Sequence, residues 1–354
     1  KQAFLIDMTT GEVLFEKNAD QPMAPASMSK MMIAYMIFER LRDGSLTLED
    51  TFTVSENAWR KGGAKSGGST MFLEPGKRVK LEDLLRGIIV QAGNDACIVV
   101  AESLASSEAA FAEKMTVRAK ELGLQNTVFK NATGWPDPEH LTTAQDLALL
   151  AKRTITDFAE YYHYYSEKEF PYNTIRQINR NPLLYKNIDA DGLKTGHTVE
   201  SEYGLTASAT KGDRRLILVV NGLATKKDRS REPERLLNWG FSDFNNYQLF
   251  SAGEEVTEAD VWLGKEDKVP LVIEREMLLT IARKARHKMK VTVTFENPIP
   301  APIAKGDPVA KLVLTVPGRD KLEVPLLAGA AVERLGLFGR LGTALKAILW
   351  GESG

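Results

Sequence analysis

The chain has 354 residues, 43% of them hydrophobic and 26% charged, with a formal net charge of -1. That length suggests two domains with a substantial core, and so balanced a charge gives no argument for a nucleic-acid partner. The single cysteine, Cys97, excludes an internal disulfide and a multi-thiolate metal site; His140, His163, His197 and His287 form no H-E-x-x-H pair, so no metal or other cofactor is expected.

In chain order, Lys1 opens on a strand-like segment without an initiator methionine, as expected of a processed or trimmed chain. No uncharged apolar run reaches the length of about 18 residues that a membrane span needs. Residues 3–7 and 13–16 flank Thr9-Thr10-Gly11 and read as a hairpin. Pro25 and Ala26 lead into a helix carrying Ser27 in its first turn, with an apolar run to Phe38 and an end near Gly44. Short strand signals at 51–54 precede the glycine-rich stretch 61–70, which reads as a mobile surface loop or the border of a cleft. Helices are expected at 81–90, 95–104, 111–122 and 143–158, the last capped by Thr142 or Thr143. A meander of strands at 192–195, 203–210 and 215–222 turns at Lys211-Gly212-Asp213, and a helix follows at 232–240. Strands at both ends with helices between them imply an α+β class, an antiparallel sheet with helical layers.

From residue 249 to 327 the segments become short, β-branched and turn-punctuated, at 255–256, 260–263, 269–273, 277–281, 291–295, 310–315 and 322–326. The division expected is a first domain over 1–242, a small β-sandwich-like domain over 243–331 and a terminal helix over 332–354. In that helix Leu337, Phe338, Leu341, Leu345, Ile348 and Leu349 share an arc of about 120°, opposite Arg340, Thr343 and Lys346. It is too short and too charged to span a bilayer. Either it faces a core or, as its Ile348-Leu349-Trp350 tip favours, it lies in a membrane interface.

Three short constellations carry chemistry. Ser27 and Lys30 stand three apart, so on a helix they share a face. A serine hydroxyl is a poor nucleophile at neutral pH unless a neighbouring amine of lowered pKa takes its proton. The second S-x-x-K, Ser208 to Lys211, falls beside the hairpin turn and is a decoy. Lys194-Thr195-Gly196-His197 lies on the first strand of the meander. There glycine admits a ligand backbone to the strand edge, threonine offers a hydroxyl and lysine a fixed cation for a carboxylate. Gln91-Ala92-Gly93-Asn94-Asp95-Ala96-Cys97 forms a loop between two helices, where Asn94 is placed to orient the lysine amine and hold a substrate amide, or merely to cap a helix.

Together these motifs resemble S-x-x-K, a serine-led triplet and K-T-G, the signature of class A β-lactamases and penicillin-binding proteins. More narrowly, the chain resembles the D-alanyl-D-alanine carboxypeptidases and the type-5 low-molecular-mass penicillin-binding proteins. Ser69 to Gly76, Asn131-Ala132-Thr133-Gly134 and Leu236 to Phe241 fit as well, so the likeness covers essentially the whole chain. It implies that Ser27 attacks the carbonyl between two terminal D-alanines and forms an acyl-enzyme, with Lys30 as general base. It implies an oxyanion hole from the backbone N–H groups of Ser27 and His197 and a positive potential from Lys194. The substrate carboxylate would meet Thr195, beside Gly196, with help from Arg229, although an arginine in so charged a stretch ordinarily faces solvent. Peptidoglycan stem peptides and β-lactams are the implied partners. The implied location is periplasmic, on the outer face of the inner membrane, held by the terminal helix.

One position departs from the pattern: the family's triplet opens with serine, and residue 92 is alanine. A methyl group relays no proton, so impaired turnover is expected, whether the alanine is native or engineered. Two other readings compete. A β-lactamase needs a base for its deacylating water, and neither Glu139-His140-Leu141-Thr142-Thr143 nor Glu160 supplies the E-x-x-x-N pattern. A non-catalytic peptidoglycan-binding protein is the reading that Ala92 favours.

Overall fold

The computed structural model describes residues 1–339 and 341. The chain divides into two compact units, Lys1–Ser242 and Asp243–Gly354.

In the first unit β1 (Gln2–Asp7) and β2 (Val13–Lys17) form the expected hairpin. Its turn is tied by the Asp7 carboxylate, which accepts the backbone N–H groups of Thr9 and Thr10 at 3.0 and 3.3 Å. A 3-10 turn, Ala26–Ser29, runs directly into α1 (Lys30–Arg42), which is buried continuously from Lys30 to Phe38. Ser27 therefore precedes the α-helix instead of lying in its first turn. There follow β3 (Thr51–Thr53), α2 (Glu56–Gly62), β4 (Arg78–Lys80), α3 (Leu81–Arg86), α4 (Asn94–Leu104), α5 (Glu108–Glu121) and α6 (Ala144–Asp157). Ser55, Ser107 and Thr143 cap α2, α5 and α6, each accepting the N–H three residues on.

A second hairpin, β5 (Glu169–Tyr172) and β6 (Ile175–Ile178), was not legible in the sequence. Its turn residues Asn173 and Thr174 both take positive φ, 45° and 64°, as a tight two-residue hairpin requires, but no glycine advertises the turn. Next come β7 (Ala190–Thr198), β8 (Glu202–Lys211), β9 (Arg214–Leu223) and α7 (Lys226–Asp243). The helix expected at 232–240 thus begins six residues earlier, and Pro233 sits inside it.

Five of these strands form an antiparallel sheet in the order β2-β1-β9-β8-β7, while β3 pairs with β4 and β5 with β6. Leu5 on β1 stands opposite Leu218 on β9, so the two ends of this unit complete each other. Phe4, Ile6, Ile217 and Val219 from the sheet share one buried cluster with Met31, Phe38, Ile98 and Leu147 from the helices. Each such side chain, fully buried, contributes about 1.5–3 kcal/mol. The α+β class with helical layers stands. Strand β7 is left at an edge, with one side of its backbone unpaired by any strand among the described residues.

The second unit contains β10 (Phe244–Phe250), β11 (Glu255–Trp262), β12 (Lys268–Ile273), β13 (Met277–Ala282), α8 (Arg283–Arg286), β14 (Lys290–Thr294), β15 (Ile299–Pro300), β16 (Pro308–Thr315) and β17 (Leu322–Ala328). Six strands are ordered β14-β16-β17-β12-β11-β15, while β10 and β13 form a separate pair among the described residues. Leu271, Ile273, Leu312 and Leu326 anchor the core. The segments read separately at 255–256 and 260–263 belong to one strand, and the single-turn α8 was not anticipated. Of the expected terminal helix, residues 337–339 and 341 are helical, with Leu337, Phe338 and Leu341 exposed. Leu345, Ile348, Leu349, Trp350, Arg340, Thr343 and Lys346 lie outside the described residues. Among the described residues no helix is long and apolar enough to cross a membrane.

Candidate active site

The 3-10 turn makes Ser27 the accessible member of a buried group. Met28 and Ser29 are 0% exposed and Lys30 1%, while Ser27 is partly exposed to a cleft of about 790 Å³. That volume suits a peptide terminus or a small-molecule ligand.

Lys30 Nζ lies 2.9 Å from Ser27 Oγ and 2.9 Å from Asn94 Oδ1, and it also donates to the backbone carbonyl of Thr133. Burial lowers its pKa, and the Arg180 charge pushes in the same direction. The Cys97 thiol, which would oppose this as an anion, is itself pushed up to about 12 by burial and stays neutral. A neutral amine has two N–H bonds and one lone pair. The Asn94 and Thr133 oxygens, both fixed acceptors, take the two N–H bonds, which leaves the lone pair for the Ser27 hydroxyl. This is the arrangement of a general base on a nucleophile.

Asn94 begins α4, and its N–H donates to Ser69 O at 2.8 Å. The adjoining Asp95, fully buried, accepts from Thr70 Oγ1 at 2.7 Å and from the N–H groups of Met71 and Leu73 at 2.8 and 3.1 Å. The glycine-rich stretch is thereby pinned beside Asn94, and Gly67, Gly68 and Ser69 line the cleft. A Cβ on Gly68 would fall 2.7 Å from Asn94 Nδ2, so any other residue there would push the Asn94 amide aside. Ala92 also lines the cleft, in a left-handed conformation (φ 60°) that ends the π-helical stretch Gly87–Gln91.

The opposite wall is β7. Thr195, Gly196 and His197 line it, and a Cβ on Gly196 would lie 2.8 Å from Pro25 O and 3.3 Å from Ala26 Cβ. The strand edge is therefore packed directly on the turn that bears Ser27. Lys194 is 2% exposed, and its side-chain amine forms no hydrogen bond or ion pair among the described residues. Burial holds its pKa well below the ordinary lysine value, and the charges of Lys30 and Arg180 add to this. The His197 ring lies against Tyr203, 4.1 Å between centroids and tilted by 33°. Arg229, from the first turns of α7, is only 6% exposed, against the expectation of a solvated face. Its guanidinium lies 5.2 Å from the Tyr203 ring, Nη1 reaches Gly196 O at 3.4 Å, and its buried Nε has no partner among the described residues. A buried guanidinium without a carboxylate beside it is a prepared anion site.

The sequence brought Ser27, Lys30, Ala92, Asn94, Thr195, Gly196, His197 and Arg229 to the same cleft or its floor, with Lys194 buried beneath. It missed the Thr133 carbonyl, Asp95 as the loop's tether, and Arg180. The last projects into the cleft between Asn179 and Asn181, which bind the backbone at Glu167 O and Gly192 O. Asn-Arg-Asn before a proline was the available signal.

A serine hydroxyl bonded to a buried lysine amine, beside the open edge of an antiparallel sheet, defines a serine acyl-transfer enzyme. The chain belongs to the D-alanyl-D-alanine carboxypeptidase family, whose peptidase S11 model matches residues 1–225. Residues 244–334 match the C-terminal domain of penicillin-binding protein 5. D-alanyl-D-alanine carboxypeptidase DacC of Escherichia coli (strain K12) is 41% identical over 340 residues, 95% of this chain and 85% of that one. Penicillin-binding protein 5 from Haemophilus influenzae superposes with a TM-score of 0.77 at 36% identity, covering 94% of this chain and 97% of the other. The carboxypeptidase DacD from Francisella tularensis gives a TM-score of 0.82 at 28% identity, covering 94% and 93%.

Proposed function

We propose that the chain is a serine D-alanyl-D-alanine carboxypeptidase that removes the terminal D-alanine from peptidoglycan stem peptides and is acylated by β-lactams. The observation that carries this reading is the Lys30 amine, with two fixed acceptors and its third position turned to Ser27. Ser27 Oγ attacks the carbonyl between the two D-alanines as its proton passes to Lys30. The C–N bond breaks, the departing amine takes a proton, and water hydrolyses the acyl-enzyme. The N–H groups of Ser27 and His197 receive the oxyanion. While protonated, Lys194 supplies a positive field, Asn94 holds the peptide amide, and Thr195 with Arg229 receives the terminal carboxylate, which the unpartnered Arg229 Nε supports.

Ala92 stands where a hydroxyl would relay protons between the lysine and the leaving group, so turnover is slow and the acyl-enzyme long-lived. The same residue favours a second reading, a protein that binds stem peptides without cleaving them. Domains 1–242 and 243–331 are the catalytic and β-rich parts. The segment 332–354 attaches the enzyme to the outer face of the cytoplasmic membrane, in the periplasm, a placement that the exposed Leu337, Phe338 and Leu341 support.

D-alanine release from a pentapeptide ending in D-Ala-D-Ala tests the assignment. The Ala92→Ser form is expected to release one D-alanine per peptide, and Ser27→Ala on that background none. Equal release by both would overturn the role of Ser27.

A further inference from the structure

His140, in the loop before α6, is 2% exposed, and its ring meets Phe129 edge-on at 5.5 Å. Its Nδ1 accepts the backbone N–H of Lys130 at 3.2 Å, and its Nε2 lies 2.8 Å from Ser29 Oγ. Ser29 in turn donates its one hydroxyl proton to Ala26 O at 2.9 Å. Proton counting then fixes the tautomer: Ser29 Oγ must accept from His140, so the imidazole is neutral with its proton on Nε2.

The chain of donors ends on a carbonyl that matters. Ala26 holds φ at 48°, a left-handed conformation that alanine rarely adopts and that needs outside support. Gly134 closes on the same oxygen, since a Cβ there would lie 1.9 Å from Ala26 O. The Ala26 C=O and the Ser27 N–H belong to one planar trans peptide group and point in opposite directions. Holding the carbonyl therefore aims the N–H.

We propose that His140 is a positioning residue which, through Ser29, fixes the plane of the Ala26–Ser27 peptide group and so aims the Ser27 N–H at the oxyanion. The proposal rests on the reading of Ser27 as the acylated residue. Burial pushes the imidazole down to about 4, outweighing Asp137, which raises it, while the Lys30 charge lowers it further. The remaining charges nearby, Lys130 and Glu139, pair with each other at 2.9 Å. The ring stays neutral at physiological pH, with Nδ1 free to accept.

Stopped-flow acylation of the full chain by a β-lactam tests this, because it separates the maximal acylation rate from the dissociation constant of the non-covalent complex. His140→Leu and Ser29→Ala are each expected to lower the rate about tenfold or more and to leave the dissociation constant within about twofold. Since the two act in series, the double variant should fall no further than the worse single. His140→Gln, which keeps a donor for Ser29 and an acceptor for Lys130, should stay within about threefold of the unaltered chain. A folded His140→Leu acylating at full rate would overturn the proposal, as would His140→Gln falling equally far. Should His140→Leu not fold, Ser29→Ala at full rate overturns it alone. Absence of any adduct on the unaltered chain would instead remove the reading of Ser27, and the proposal with it.

Discussion

Lys30 is made basic chemistry's tool by two effects that act together: burial that disfavours its charge, and two oxygens that orient what protons remain. The sign for activity follows. The amine must be neutral to accept the Ser27 proton, so acylation should rise with pH through the lowered pKa of Lys30. Its plateau should come earlier than an ordinary lysine would allow, and a pH profile of acylation by a β-lactam checks it. Lys30→Met, which leaves the Asn94 and Thr133 oxygens without their donor, should cost about 10²–10⁴ in that rate. Ala92→Ser should raise D-alanine release by about the same factor, and no gain would sink the relay account of that position. The S-x-x-K spacing, the K-T-G strand and Asn94 were legible because their side chains are the chemistry. The Thr133 carbonyl was not, since a backbone oxygen leaves no mark in residue type. The burial of Arg229 was hidden by its charged neighbours Lys226, Lys227 and Asp228.

Between elements, the cleft depends on β7 lying against the Ser27 turn, and Gly196 sets that distance. Gly196→Ala would drive a methyl into Pro25 O and the Met28 side chain. A loss of about 1–3 kcal/mol in stability and a slower acylation are expected, read by denaturant melts and adduct formation. Asp95→Asn, by weakening the acceptors that hold residues 70–73, should instead loosen the loop beside Asn94 at about 1–3 kcal/mol. Hydrophobic periodicity made most of these elements readable, including the meander and its Gly212 turn. It failed at β5 and β6, where Pro171 and a turn without glycine obscured the alternation. It failed again at the start of α7, where Pro233 hid a helix that continues through it.

For the molecule as a whole, every cleft residue named here lies in the unit Lys1–Ser242, and the two family matches fall on separate stretches, 1–225 and 244–334. Residues 1–242 alone should therefore still take a β-lactam, while a chain ending at 331 should lose binding to anionic vesicles that the full chain retains. The measurement that bears most directly on the central claim is the intact mass of the full chain after incubation with benzylpenicillin, beside that of Ser27→Ala. One penicilloyl group per chain, attached at Ser27 and absent from the variant, is the expected result. An unmodified chain, or an adduct that survives the loss of the Ser27 hydroxyl, would contradict it.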